Sequence, residues 1–156
     1  MHHYFGSKDK LFLAALQAPA DPAEFLPEVL AGGREELGAN VVRMLLRVWD
    51  GPIGAGALAL LRSAVSNEWT MRLLREFLTV RIIRRVFSTL GLPDEERDAR
   101  GALVASQLVG LVMARYVLRI EPLASATPDS LVAAVGPTLQ RYFTGDVSLP
   151  GPTPAR

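Results

Sequence analysis

From Gly101 to Ala114 the chain carries no charged side chain, and this run lies within a segment whose spacing predicts one helix from Pro93 to about Ile120. A helix that is uncharged on every side must be covered on every side. The run is too short to span a bilayer. A chain of 156 residues amounts to about one domain, and so small a domain covers such a helix most cheaply with a second copy of itself. The small residues Gly101, Ala102, Ala105, Ser106, Gly110 and Ala114 allow close helix approach, which suits a symmetric dimer face. The expected interface therefore comprises Ala102, Ala105, Ser106, Val109, Gly110, Met113 and Val117, joined by Leu131, Val135 and Leu139 of the last helix.

The rest of the chain also reads as helical. Alternating patterns are absent, whereas i, i+3, i+4, i+7 spacing recurs. Ser7 is placed to cap a helix to about Gln17, and a short helix around Phe25 to Leu30 stops at Gly32-Gly33. Arg34 to Trp49 is amphipathic, with Leu37, Val41, Met44, Leu45 and Val48 on one stripe and Glu36, Asn40, Arg43 and Arg47 opposite. "DGPIGAG" is expected to break the chain before a small-residue helix, Ala57 to Val65. In the next helix, about Glu68 to Leu90, the polar positions Glu68, Arg72, Arg75 and Thr79 give way to Arg81, Arg84, Arg85 and Ser88 on the other face, so either the helix bends near Thr79 or its second half crosses onto a different surface. Gly91 suits a position just past a helix end, and Pro93 opens the next helix, with Asp94, Glu95 and Glu96 well placed on its dipole. Thr127 and Pro128 have the residue types of an N-cap and N1 pair, and Gly136-Pro137 is expected to kink the helix that follows. The tail, residues 145–156, reads as disordered.

Composition narrows the function. The formal net charge is +1, so no protein-wide field drives nucleic-acid or membrane binding. There are no cysteines, which excludes disulfides and thiolate chemistry. No secretory signal is visible at the N-terminus, and the chain is expected to be cytoplasmic. No catalytic constellation emerges. His2 and His3 are the only histidines, and they lack the further ligands of a metal site. Ser63, Ser66 and Ser106 have no histidine base in reach. The glycines of "GPIGAGA" follow no strand and lack dinucleotide-binding spacing. The chain is read as a non-enzyme without metal or cofactor.

The N-terminal stretch "HHYFGSKDKLFLAAL" carries the most specific signal. Lys8 and Lys10, the only lysines, fall in the first turn of the helix capped by Ser7. Cations there oppose the macrodipole unless an anion is bound, and a phosphate would satisfy the dipole, the free N–H groups and the lysines together. The order Tyr-Phe-Gly-Ser-Lys-Asp, then Leu-Phe, resembles the end of the helix-turn-helix of TetR-family transcriptional regulators, where the recognition helix closes and a connecting helix begins. "LLRSAVSNE" and "LVASQLVGLVMARYVLRIEPLA" resemble a C-terminal domain class of the same family, so the resemblance reaches to about Phe143.

What the resemblance implies is specific. His2, His3, Tyr4 and Lys8 match DNA-facing positions, and Phe5 matches a core aromatic. Residues 1–6 would be a remnant of the helix-turn-helix, and residues 7–144 the connecting helix plus an all-α dimerisation and effector domain, dimerising through its last two long helices. The family's first two helices and most of its third have no counterpart here. A recognition helix needs its partner helix to hold it in the groove, so operator DNA is an expected partner only where a complete head precedes these residues.

The resemblance also implies an effector held within the bundle. The large residues Met44, Trp49, Trp69, Phe77, Phe87 and Tyr116 are the candidates for lining a site for an unidentified apolar small molecule. Arg115, just beyond the uncharged run, is the candidate buried charge, with Glu121 as its nearest potential partner. The expected function is a homodimeric, ligand-responsive repressor in which the effector moves the connecting helix and so changes the separation of the DNA heads. The alternative is a headless dimer that binds small molecules or proteins without specific DNA binding.

Overall fold

The computed structural model describes residues 25–76 and 83–151, and among them every regular element is helical. Seven α-helices follow in order: α1 (Leu26–Leu30), α2 (Leu37–Asp50, entered through a 3₁₀ turn at Arg34–Glu36), α3 (Pro52–Ser66), α4 (Glu68–Glu76), α5 (Arg84–Ser88), α6 (Asp94–Val112) and α7 (Pro128–Thr144). The helix expected over Ser7 to Gln17, the bend or crossing expected near Thr79 and the end of the tail lie outside the described residues. No single helix among the described residues is long and apolar enough to cross a membrane.

The centre of the fold is the crossing of α2 and α7. Gly38 permits it: a Cβ there would lie 2.3 Å from the Gly136 carbonyl oxygen and 2.6 Å from the Gln140 nitrogen. Gln140 then closes the contact from both sides. Its Oε1 accepts from the Gly38 N–H at 2.8 Å, and its Nε2 donates to the Arg34 carbonyl at 2.7 Å. Around this crossing Val29, Leu37, Val42, Leu46, Phe87, Leu139 and Phe143 are almost wholly buried. The Phe87 and Phe143 rings stack at 5.0 Å, tying α5 to α7.

Several boundaries follow local chemistry that the sequence displays. Gly91 has a φ of 66° just beyond α5. Pro93 precedes α6, whose first turn holds Asp94, Glu95 and Glu96. At the start of α7 the Thr127 hydroxyl accepts from the Ser130 N–H at 3.2 Å, with Pro128 at the first position. Asn67 caps α4 in the same way, accepting from the Trp69 and Thr70 N–H groups.

Other expectations are corrected. "DGPIGAG" does not delay the next helix to Ala57, because α3 begins at Pro52, where proline's missing N–H is no loss. Gly54 makes this possible, since any Cβ there would sit 2.0 Å from the Trp49 carbonyl oxygen. The axis turns by 88° between residues 34–50 and α3. Asn40 is not on the solvent face of α2 but buried, with its Nδ2 donating to the carbonyls of Val29 at 3.0 Å and Ala31 at 2.7 Å. Leu131 and Leu139 pack into this chain's own core, at 3% and 0% exposure, and so do not reach a partner. Val135 packs against the same core. Residues 133, 134, 137 and 138 form the outward face of α7 instead.

Candidate functional site

At its C-terminal end α6 loosens. After Val112 the backbone passes into a π-helical turn, Met113–Val117, closed by the Leu118 N–H donating to the Met113 carbonyl at 2.8 Å. Such turns recur at functional sites because they reorient the side chains they carry. Here they are Arg115 and Tyr116. Two residues beyond the turn, Arg119 has a φ of 53°, in the left-handed region that crowds any Cβ.

Arg115 is buried and organises the loop that follows. Its Nη1 donates to the carbonyls of Leu123 at 2.7 Å and Ala126 at 2.8 Å. Its Nη2 lies 3.7 Å from Asp50 Oδ2 at the end of α2. Its Nε is buried with no hydrogen-bond partner. The sequence reading of Arg115 as a buried charge stands, but its acidic neighbour is Asp50, while Glu121 accepts from the Ser125 hydroxyl instead. Tyr116 reaches the same carboxylate, its hydroxyl donating to Asp50 Oδ1 at 2.7 Å. Burial pushes the Tyr116 phenol up to about 12, and the bond to Asp50 adds to the effect. The Tyr116 ring stacks on Trp49 with centroids 5.3 Å apart.

These groups line a cavity of about 470 Å³. Trp49 and Asp50 enter from the end of α2, Gly54, Ala55 and Leu58 from the first turns of α3, and Arg115, Tyr116, Arg119, Glu121 and Ala124 from the π turn and its loop. The volume is within the range that holds a small organic ligand. Four ionisable side chains of both signs stand beside one aromatic pair, so the lining is more polar than the expected apolar one.

Of the six residues nominated for such a lining, Trp49 and Tyr116 come together here. Met44 packs against the core, and Phe87 is 1% exposed within it. Trp69 is 47% exposed on α4, and Phe77 lies outside the described residues. So do His2, His3, Tyr4 and Lys8. Along the first-nominated helix face, Ala102, Ser106, Val109 and Gly110 are exposed, and Ala105, Met113 and Val117 are half-buried. Among the described residues no group of three or more histidines or carboxylates could hold a metal ion.

Comparison with known proteins decides the family. Residues 35–143 match the family described as tetracyclin repressor-like, C-terminal domain. The chain belongs to the TetR family. The fold agrees: the crystal structure of a TetR-family regulator from Streptomyces coelicolor A3 superposes with a TM-score of 0.60 at 33% identity, over 90% of this chain and 93% of that one. No curated protein matches the sequence. The matched region contains the whole cavity lining, α6, and α7 up to Phe143. It is thus a regulator domain of TetR type in which the polar cavity lies by the π turn that ends α6, while the exposed stripe of α6 lies nearer that helix's start than the turn does.

Sequence reasoning missed Asp50 and Arg119, and it named Glu121 only as a partner for Arg115, not as part of the lining. Each is an ordinary charged residue in its own stretch. Only the placement of α2 beside the π turn, 66 residues away along the chain, reveals them as one site.

Proposed function

We propose that this chain is the dimerisation and effector domain of a cytoplasmic, ligand-responsive TetR-type repressor. The observation that carries the reading is the cavity between α2, α3 and the π turn, in a chain of a family of transcription regulators. A ligand seated there touches three elements at once. Filling it bears on the Asp50 contacts with Arg115 and Tyr116, which join the end of α2 to the end of α6. An effector shifts the equilibrium only as far as it binds one arrangement better than the other. The arrangement it favours would carry the DNA heads away from the spacing of successive half-sites, roughly 34–36 Å, and release the operator.

The dimer would form through the outward faces of α6 and α7, where Ala102, Ser106, Val109 and Gly110 lie exposed on one helix and residues 133, 134, 137 and 138 on the other. Small side chains there permit close helix approach.

The test is a thermal-shift ligand screen on the 156-residue chain, followed by operator binding by this chain and by any longer product of the gene that carries a complete helix-turn-helix. A ligand that raises the melting temperature must bind the folded state. The same ligand is expected to weaken operator binding, and Trp49→Ala is expected to abolish both effects. A ligand that binds the cavity and leaves operator affinity unchanged would overturn the repressor reading in favour of a small-molecule-binding module.

A further inference from the structure

The charges around the cavity balance in number but not in availability. Asp50 is engaged on both oxygens, by the Tyr116 hydroxyl at 2.7 Å and the Arg115 guanidinium at 3.7 Å. Glu121 is engaged by the Ser125 hydroxyl. The cationic side has capacity left over. Arg119 reaches the lining with no acidic partner among the described residues, and its backbone is held in the left-handed region. Arg115, 8% exposed in its side chain, is committed to the Leu123 and Ala126 carbonyls and to Asp50, so Arg119 is the cation left for a ligand. The first turn of α3, fifteen residues long, also borders the cavity. It carries no acidic residue and no side-chain cap, so its dipole is not offset from within the helix. Beside these groups stands the flat face of the Trp49–Tyr116 stack.

We infer that the cavity takes an aromatic carboxylate, its ring against Trp49 and Tyr116 and its anionic group between Arg119 and the first turn of α3. This rests on the reading of the cavity as an effector site and names the chemistry of the effector. A guanidinium and a helix start both favour a carboxylate over its neutral amide. An aromatic cation would also find a π face; Asp50 already has donors on both oxygens and Glu121 has one on Oε2, so a cationic probe is the direct competitor.

The experiment uses the 156-residue chain with Trp69→Phe, which leaves Trp49 as the only tryptophan. Trp69 is exposed and outside the cavity lining. The probes are 2-naphthoate, the neutral 2-naphthamide and the cationic 2-naphthylmethylammonium, titrated to millimolar concentration against Trp49 fluorescence. The naphthoate is expected to quench saturably, with a Kd about ten-fold below that of the amide, and with a preference that shrinks as salt is added. Arg119→Gly, which suits the backbone there, is expected to bring the ratio of the two Kd values close to one, and Arg119→Lys to retain most of it. An amide or ammonium probe that binds as tightly as the acid would overturn the carboxylate assignment while leaving an effector cavity in place. A ratio unchanged in Arg119→Gly would also overturn it, as would the absence of saturable quenching by all three probes. The effector reading itself stands or falls separately, on the open ligand screen and the operator measurement.

Discussion

Two residues of the cavity lining, Tyr116 and Arg119, hold their energy in different ways. Tyr116 holds it in a protonated phenol. Its pKa in the folded chain is raised above the ordinary value of 10.0 to about 12, first by burial and then by the carboxylate it donates to. The folded state therefore keeps this proton at pH values where the unfolded chain has lost it. The resulting stability is fully present below pH 10 and is lost as pH rises through about 12. Wild type is expected to lose stability across that window by on the order of 1 kcal/mol more than Tyr116→Phe, since solvent reaching the half-buried ring screens part of the effect. Urea unfolding at pH 9 and pH 11.5 checks this, and parallel declines in the two proteins would contradict it. Near neutrality Tyr116→Phe should cost about 1 kcal/mol for the lost bond to Asp50. Arg119 holds its energy in the backbone, where a φ of 53° crowds the Cβ. Arg119→Gly should raise stability by about 0.5–1 kcal/mol, after allowing for glycine's greater freedom in the unfolded chain. The urea midpoint should move up with the slope unchanged; a lower midpoint would show that the guanidinium contributes more to the fold than the strain removes.

Between elements, the contacts that set the architecture are backbone approaches that only particular residues permit. Gly38→Ala would push a methyl group into the Gly136 carbonyl, 2.3 Å away, and the α2–α7 crossing has to open. A loss of about 2–4 kcal/mol is expected, by thermal or urea unfolding. Arg100 plays a complementary part at the far end of α7. It is buried, pairs through Nε with Glu96 at 3.0 Å, and donates to the carbonyls of Tyr142 at 2.9 Å and Gly145 at 2.8 Å. Arg100→Met keeps much of the volume, removes the cap, and should cost about 2 kcal/mol, with faster amide exchange confined to the last turn of α7. These two residues also mark how far the sequence could be read. Thr127-Pro128 and Gly91 with Pro93 announced their boundaries because capping chemistry is local. Asn40 read as solvent-facing because its acceptors, the Val29 and Ala31 carbonyls, come from a separate element. The early start of α3 depends on Gly54 lying against the Trp49 carbonyl, and the π turn depends on where Arg115 finds carbonyls eight and eleven residues on. Periodicity identified both helices and could not identify either event. Of the cavity, Trp49, Arg115 and Tyr116 were legible as large or buried groups, Glu121 only as a partner for Arg115, and Asp50 and Arg119 not at all.

At the scale of the whole molecule, the question is what covers the outer side of α6. One side of that helix is settled within the chain, since Arg100, Gly101, Val104, Leu111 and Val112 are buried. The other side presents Ala102, Ser106, Val109 and Gly110, with Val109 46% exposed. These positions are separated by four, three and one residues, which on a helix is a single stripe. The neighbouring outward face of α7 is also free of acidic residues over 133, 134, 137 and 138. Two such stripes brought together by a two-fold axis would bury Val109, the large apolar side chain that the stripe exposes. A carboxylate introduced there would be buried unpaired in each copy, which is unfavourable. The wild-type chain, 16.9 kDa as a monomer, is therefore expected to scatter light at micromolar concentration as a species of twice that mass, and Val109→Glu as a monomer with its helical circular dichroism intact. Leu139→Glu supplies the contrast. Leu139 is 0% exposed within one chain, so a carboxylate there should unfold the protomer itself rather than separate two folded ones. A wild-type chain that scatters as a monomer would overturn the dimer, and the exposed stripe on α6 would then need a different partner. A Val109→Glu protein that remains dimeric would place the interface elsewhere on the surface.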